Sequence, residues 1–215
     1  MSAMASQQRS RKALGLWMNG HFVGTWSLEA GGDVLQYDSQ WVQSPQRRPL
    51  SLSLPFTPGN RPHKGHAVRF YFENLLPDSK DIRERVARRY QVGATDAYTL
   101  LREVGRDCVG ALQILPAGDE PPTDLRVQAE PMSDHAVAQR IRTLAQPGAL
   151  GDAGMADDFR ISIAGAQEKD ALLFWQGRWC RPLGATPTTH IFKLPLGLIG
   201  NLQLDMQHSV ENEWL

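Results

Sequence analysis

Short apolar runs at two-residue spacing alternate along the chain with stretches in which apolar residues recur every three or four positions, the pattern of strands mixed with amphipathic helices. Residues 14–18 and 22–27 flank Asn19-Gly20-His21. Asn-Gly accepts the positive φ values of a tight turn, so these two runs are expected to pair as a hairpin. Further strands are expected at 34–37 and at 50–54, where Leu50, Leu52 and Leu54 alternate with Ser51 and Ser53. Helical spacing predicts helices over 68–76, 79–90 and 97–103. Ser79 and Thr95 are the expected caps, because a hydroxyl there can accept from a first-turn amide. Gly105-Arg106-Asp107 reads as a turn into a strand at 109–115.

Residues 116–131, rich in proline and acids, read as a linker, followed by a helix over 133–144 and a Gly/Ala/Asp loop over 147–156. A second unit begins near Asp158. Its expected strands, 160–164, 171–175, 178–181 and 190–194, with a turn at Gln176-Gly177, predict a small, mainly antiparallel sheet. Residues 204–215 carry an amphipathic helical pattern, with Ser209 as cap and Glu211 and Glu213 in an acidic first turn that suits the helix dipole. That pattern stops at Trp214-Leu215 without a stop signal, so the chain is expected to be cut short of a complete domain. The fold class that follows is α+β: a flexible head over 1–13, a sheet-and-helix subdomain over 14–115, a linker and helix over 116–157, and the start of a second domain over 158–215.

Composition narrows the function classes. At 215 residues and 41% hydrophobic content the chain can bury one or two cores. Its 23 basic and 23 acidic residues cancel, so no global charge favours nucleic acid or a membrane surface. The basic run at 80–89 has acids interleaved at helical spacing and reads as a solvated helix face. Two cysteines and six histidines show no metal-ligand spacing, which predicts no structural metal and suits a reducing compartment. The absence of a long apolar stretch predicts a cytoplasmic protein without membrane contact.

The candidate chemistry lies in the second unit. Asp158-Phe159-Arg160-Ile161-Ser162-Ile163 reads as a strand, and Ala164, Gly165, Ala166, Gln167, Glu168 and Lys169 as a small-residue loop ending in a cation. His190-Ile191-Phe192-Lys193 follows as a strand with a second lysine. Gly165 lets backbone amides approach an anion, and two lysines near such a loop suit a nucleotide's phosphates. The same run equally suits a plain hairpin with a solvated Glu-Lys tip, and Lys193 suits a solubilising edge charge. No His-Arg-Asp or Asp-Phe-Gly sequence occurs, so no catalytic residue is assigned within this chain.

These runs, together with Arg48-Pro49-Leu50-Ser51-Leu52-Ser53-Leu54-Pro55, Glu73-Asn74-Leu75-Leu76-Pro77-Asp78-Ser79 and Gly105-Arg106-Asp107-Cys108-Val109-Gly110-Ala111, resemble the HipA family of serine/threonine protein kinase toxins from bacterial toxin-antitoxin pairs. The resemblance implies that Ala164, Gly165, Ala166, Gln167, Glu168 and Lys169 bind ATP phosphates, that Lys193 contacts the nucleotide, and that Ser162 is autophosphorylated. It places the magnesium ligands in a lobe beyond this chain. Glu213 is the expected partner of Lys193, although an acidic first turn without catalytic task fits it equally. The resemblance further implies a HipB-like antitoxin as partner, DNA contacted mainly through that antitoxin, and a protein substrate such as an aminoacyl-tRNA synthetase. The alternative function is a non-catalytic regulatory or antitoxin-binding module.

Overall fold

The computed structural model describes residues 13–108, 110–122, 126–144, 169–184, 186–195, 197–199, 204–209 and 211. An α+β architecture results, with three antiparallel sheets of five, four and two strands among the described residues. Strands β1 (Ala13–Met18) and β2 (His21–Glu29) form the expected hairpin. Its two turn residues, Asn19 at φ 50° and Gly20 at φ 79°, both adopt the left-handed backbone that matches strand twist. Strands β3 (Gly32–Tyr37), β4 (His63–Lys64) and β5 (Leu112–Pro116) complete a five-stranded sheet in the order β4-β3-β2-β1-β5.

Four helices accompany this sheet: α1 (Ser39–Gln43), α2 (His66–Glu73), α3 (Lys80–Arg89) and α4 (Ala97–Val104). Ser79 caps α3 as expected, accepting from the Ile82 amide. At α4 the cap is Asp96, not Thr95: its carboxylate accepts from the Thr99 amide at 3.0 Å. A carboxylate is an equally good cap and also answers the positive end of the helix dipole, so the helix starts one residue later than Thr95 would allow. Helix α1 escaped the sequence reading because five residues are too few to display a period. Asp38 nucleates it by accepting from the Gln40 and Trp41 amides.

Helices α2 and α4 cover one face of the sheet. Trp26 of β2 lies flat on Phe72 of α2, ring centroids 3.7 Å apart and 5° from parallel, and takes the Tyr98 ring edge-on. Aromatic pairs of this kind contribute about 0.5–1.5 kcal/mol beyond the area they bury. The Trp26 indole N–H donates to Asp33 at 2.9 Å, so burial of the ring leaves no orphaned donor.

Residues 50–54 depart from expectation. The Leu/Ser alternation predicts a strand, but the segment forms a turn. Leu54 is fully buried and Leu52 is 97% exposed, so leucines two apart do not share a buried face. Tyr37 enforces this, since its hydroxyl accepts from the Leu50 amide at 2.9 Å and donates to the Leu54 carbonyl at 2.6 Å. Burial pushes the Tyr37 hydroxyl from 10.0 up to about 12, partly offset by the Leu50 hydrogen bond.

The second sheet runs β6-β8-β7-β9, from β6 (Ala129–Pro131), β7 (Lys169–Trp175), β8 (Arg178–Pro182) and β9 (His190–Lys193). The β7–β8 turn at Gln176-Gly177 is as expected, with φ 51° and 77°. Strand β6 lies inside the stretch expected to be linker, its backbone paired with β8 through Glu130 opposite Arg181. Helix α5 (Asp134–Leu144) follows it, with the Ser133 hydroxyl accepting from the Ala136 amide. At 204–206 the expected helix gives way to a strand: β10 (Gly197–Ile199) pairs with β11 (Leu204–Met206). Cross-strand pairing, invisible to a helical periodicity count, decides that segment. The expected strand at 160–164 lies outside the described residues. Among those residues, no helix is long and apolar enough to cross a membrane.

Candidate phosphate-binding site

Lys169 is the first residue of β7 and Lys193 the last of β9. In the antiparallel pair they stand directly opposite one another, followed by Asp170 opposite Phe192, Ala171 opposite Ile191 and Leu172 opposite His190. Directly opposed residues share a sheet face and bring their Cβ atoms to about 4.5–5.5 Å. The two lysines, both half-buried, therefore rise from one face at one end of the sheet. Like charges placed directly opposite one another on a sheet face repel. An anion seated between them turns that repulsion into attraction.

The opposite face carries an aromatic cluster. Trp179 of β8 receives Phe174, His190 and Phe192 at centroid distances of 5.0, 4.9 and 5.2 Å, all near edge-on. The Thr189 hydroxyl accepts from the Phe174 amide at 2.7 Å, tying the approach to β9 against β7. This packing holds the β7–β9 register and with it the lysine pair. Helix α5 is joined to β7 by Arg140, whose guanidinium meets both carboxylate oxygens of Asp170. Sequence reasoning missed this ion pair, which joins residues thirty apart in different elements.

Of the expected site residues, the structure thus brings Lys169 and Lys193 together. Ser162, Ala164, Gly165, Ala166, Gln167, Glu168 and Glu213 lie outside the described residues. A second depression, an open cleft of about 440 Å³ over β2 and β3, is lined by Gln36, Tyr37, Asp38 and Asn60 among others. Its polar groups have structural tasks: Asp38 caps α1, and the Gln36 and Asn60 side-chain amides both donate to the Tyr37 carbonyl.

Residues 14–115 match the family model described as the HipA N-terminal domain. That segment is a HipA N-terminal domain. "Putative kinase Y4mE" of Sinorhizobium fredii is 30% identical over 201 residues, covering 86% of this chain and 44% of the relative. The serine/threonine-protein kinase toxin HipA of Shewanella oneidensis is 27% identical over 174 residues, 80% of this chain and 37% of the toxin. The chain spans less than half the length of these curated relatives. Among solved structures, a chain of the Shewanella oneidensis MR-1 toxin-antitoxin complex of HipA, HipB and operator DNA superposes with a TM-score of 0.59 at 25% identity. That match covers 83% of this chain and 39% of the other. The HipA N-terminal domain and the α+β fold thus agree with the sequence reading.

Proposed function

We propose that this chain supplies the amino-terminal part of a HipA-like serine/threonine protein kinase and carries the element that receives the phosphates of ATP. The observation that supports this reading most directly is the register that sets Lys169 opposite Lys193 on one sheet face. Two cations at one strand-pair end fit a polyphosphate, whose adjacent charged groups can engage both ammonium groups at once. In this proposal Ala164, Gly165, Ala166, Gln167 and Glu168 present backbone amides, while Lys169 and Lys193 neutralise phosphate charge. Glu213 is the proposed partner that orients Lys193. Bound ATP would supply the phosphoryl group. Autophosphorylation is proposed at Ser162, where about −1.5 to −2 added charges would compete with nucleotide for the same donors.

The proposal assigns no catalytic base and no magnesium ligand to this chain, because the sequence holds neither the His-Arg-Asp nor the Asp-Phe-Gly signature. Its proposed setting is the reducing cytoplasm, consistent with the buried thiols of Cys108 and Cys180. A HipB-like antitoxin is the proposed partner, with DNA engaged mainly through it, and the proposed substrate is a protein such as an aminoacyl-tRNA synthetase. Titrating magnesium-ATP calorimetrically into the chain and its Lys169→Ala and Lys193→Ala variants tests the site. Each variant is expected to bind at least tenfold more weakly, and undiminished affinity in both would remove the assignment.

One observation favours a second reading, a regulatory or antitoxin-binding module. Among the described residues, the core that joins Leu14 to Ile114 draws all its buried members from within 14–115, as a self-standing domain would. Binding of an antitoxin by that segment without nucleotide would favour it.

A further inference from the structure

Asp170 follows Lys169 in β7, and its cross-strand partner Phe192 precedes Lys193 in β9. A carboxylate thus stands one residue from each of the two cations, on the other sheet face. Such a charge opposes an incoming polyanion through space, unless it is neutralised where it stands. Arg140 of α5 does this. Its side chain and that of Asp170 are each only 12% exposed, the guanidinium grips both carboxylate oxygens, and the Nη2–Oδ1 arm measures 2.9 Å. The Ala171 amide donates to the same carboxylate at 2.9 Å, fixing its orientation. A bidentate, largely desolvated pair is held far more firmly than a surface ion pair.

We propose that Arg140 is a positioning residue for the phosphate-binding lysine pair: by holding and neutralising Asp170, it keeps that carboxylate from opposing a polyphosphate seated between Lys169 and Lys193. Helix α5 then belongs to the binding unit and does more than link β6 to β7. The proposal rests on the reading of the lysine pair given above.

Charge variants separate this role from a plain structural clamp. The probe is inorganic tripolyphosphate, titrated calorimetrically at low ionic strength into the full chain, with circular dichroism confirming that each variant is folded. Arg140→Gln leaves an uncompensated carboxylate and is expected to weaken binding about tenfold. Asp170→Asn removes the carboxylate's negative charge from behind the lysines and is expected to tighten binding several-fold. The double variant is expected to return within about twofold of the parent, and Arg140→Lys, which keeps the charge but loses the fork, to stay within a few-fold. A clamp whose only task is structural makes both single variants bind more weakly. Loss of affinity in Asp170→Asn, or an Arg140→Lys as weak as Arg140→Gln, overturns the proposal even where Lys169→Ala and Lys193→Ala abolish binding. Tripolyphosphate binding that is absent from the parent, or indifferent to both lysine variants, removes the lysine-pair reading itself and this proposal with it.

Discussion

Truncating Leu54 to alanine removes a side chain with no solvent exposure while leaving in place the carbonyl that receives the Tyr37 hydroxyl. The loss therefore isolates the apolar contribution of the turn. A buried Leu→Ala replacement costs about 2–5 kcal/mol, made up of lost transfer free energy and the cavity left behind. With a urea slope of about 2 kcal/mol per molar, the unfolding midpoint should fall by about 1–2.5 M. Leu52, two residues away and 97% exposed, serves as the internal control. Its replacement by alanine should change stability by no more than about 0.5 kcal/mol. Tyr37→Phe should cost about 1–3 kcal/mol, because it leaves the Leu50 amide and Leu54 carbonyl without their shared partner. Urea unfolding followed by near-ultraviolet circular dichroism measures all three. Equal losses for Leu52→Ala and Leu54→Ala would restore the strand suggested by the Leu/Ser alternation and refute the turn.

Asp96→Ala should destabilise by about 1 kcal/mol and Thr95→Ala by much less, as thermal unfolding of the two variants would show. Gly105→Ala should cost about 1–3 kcal/mol, since the added Cβ would meet the Ile114 Cβ at 2.7 Å, whereas Gly93→Ala, with open space around it, should be neutral or slightly stabilising in urea titrations. Folding favours the neutral phenol of Tyr37, so its contribution is whole below pH 10 and drains away as pH climbs toward about 12. Stability measured across that window should fall more steeply for the parent than for Tyr37→Phe.

Much of the fold could be read from neighbouring residues. Asn19-Gly20 and Gln176-Gly177 make hairpins because the turn chemistry is complete within two positions. Ser79 and Ser133 open helices because a side-chain oxygen and its amide lie three residues apart. The small-residue run that ends in Lys169 and the later segment with Lys193 were equally visible as residue types at suggestive spacing. Where the reading failed, distant contacts outweighed the local pattern. Leu50–Ser53 has a strand's alternation, but a tyrosine hydroxyl thirteen and seventeen residues away bends it into a turn. Residues 129–131 look like linker until β8 offers them a ladder, and 204–206 look helical until β10 does the same.

The candidate site divides along the same line. The sequence by itself determined which residue types are available: two lysines, a small-residue run with Gly165 and the serine before it. Only the tertiary structure decided that Lys169 faces Lys193 across one strand pair, and that Arg140 from a separate helix holds the Asp170 carboxylate on the sheet face behind them. The physical reason is that strand register is fixed by the packing of Phe174, Trp179, His190 and Phe192 against one another, and helix docking by the Arg140–Asp170 pair. That collective fit has no signature in any short window of the chain.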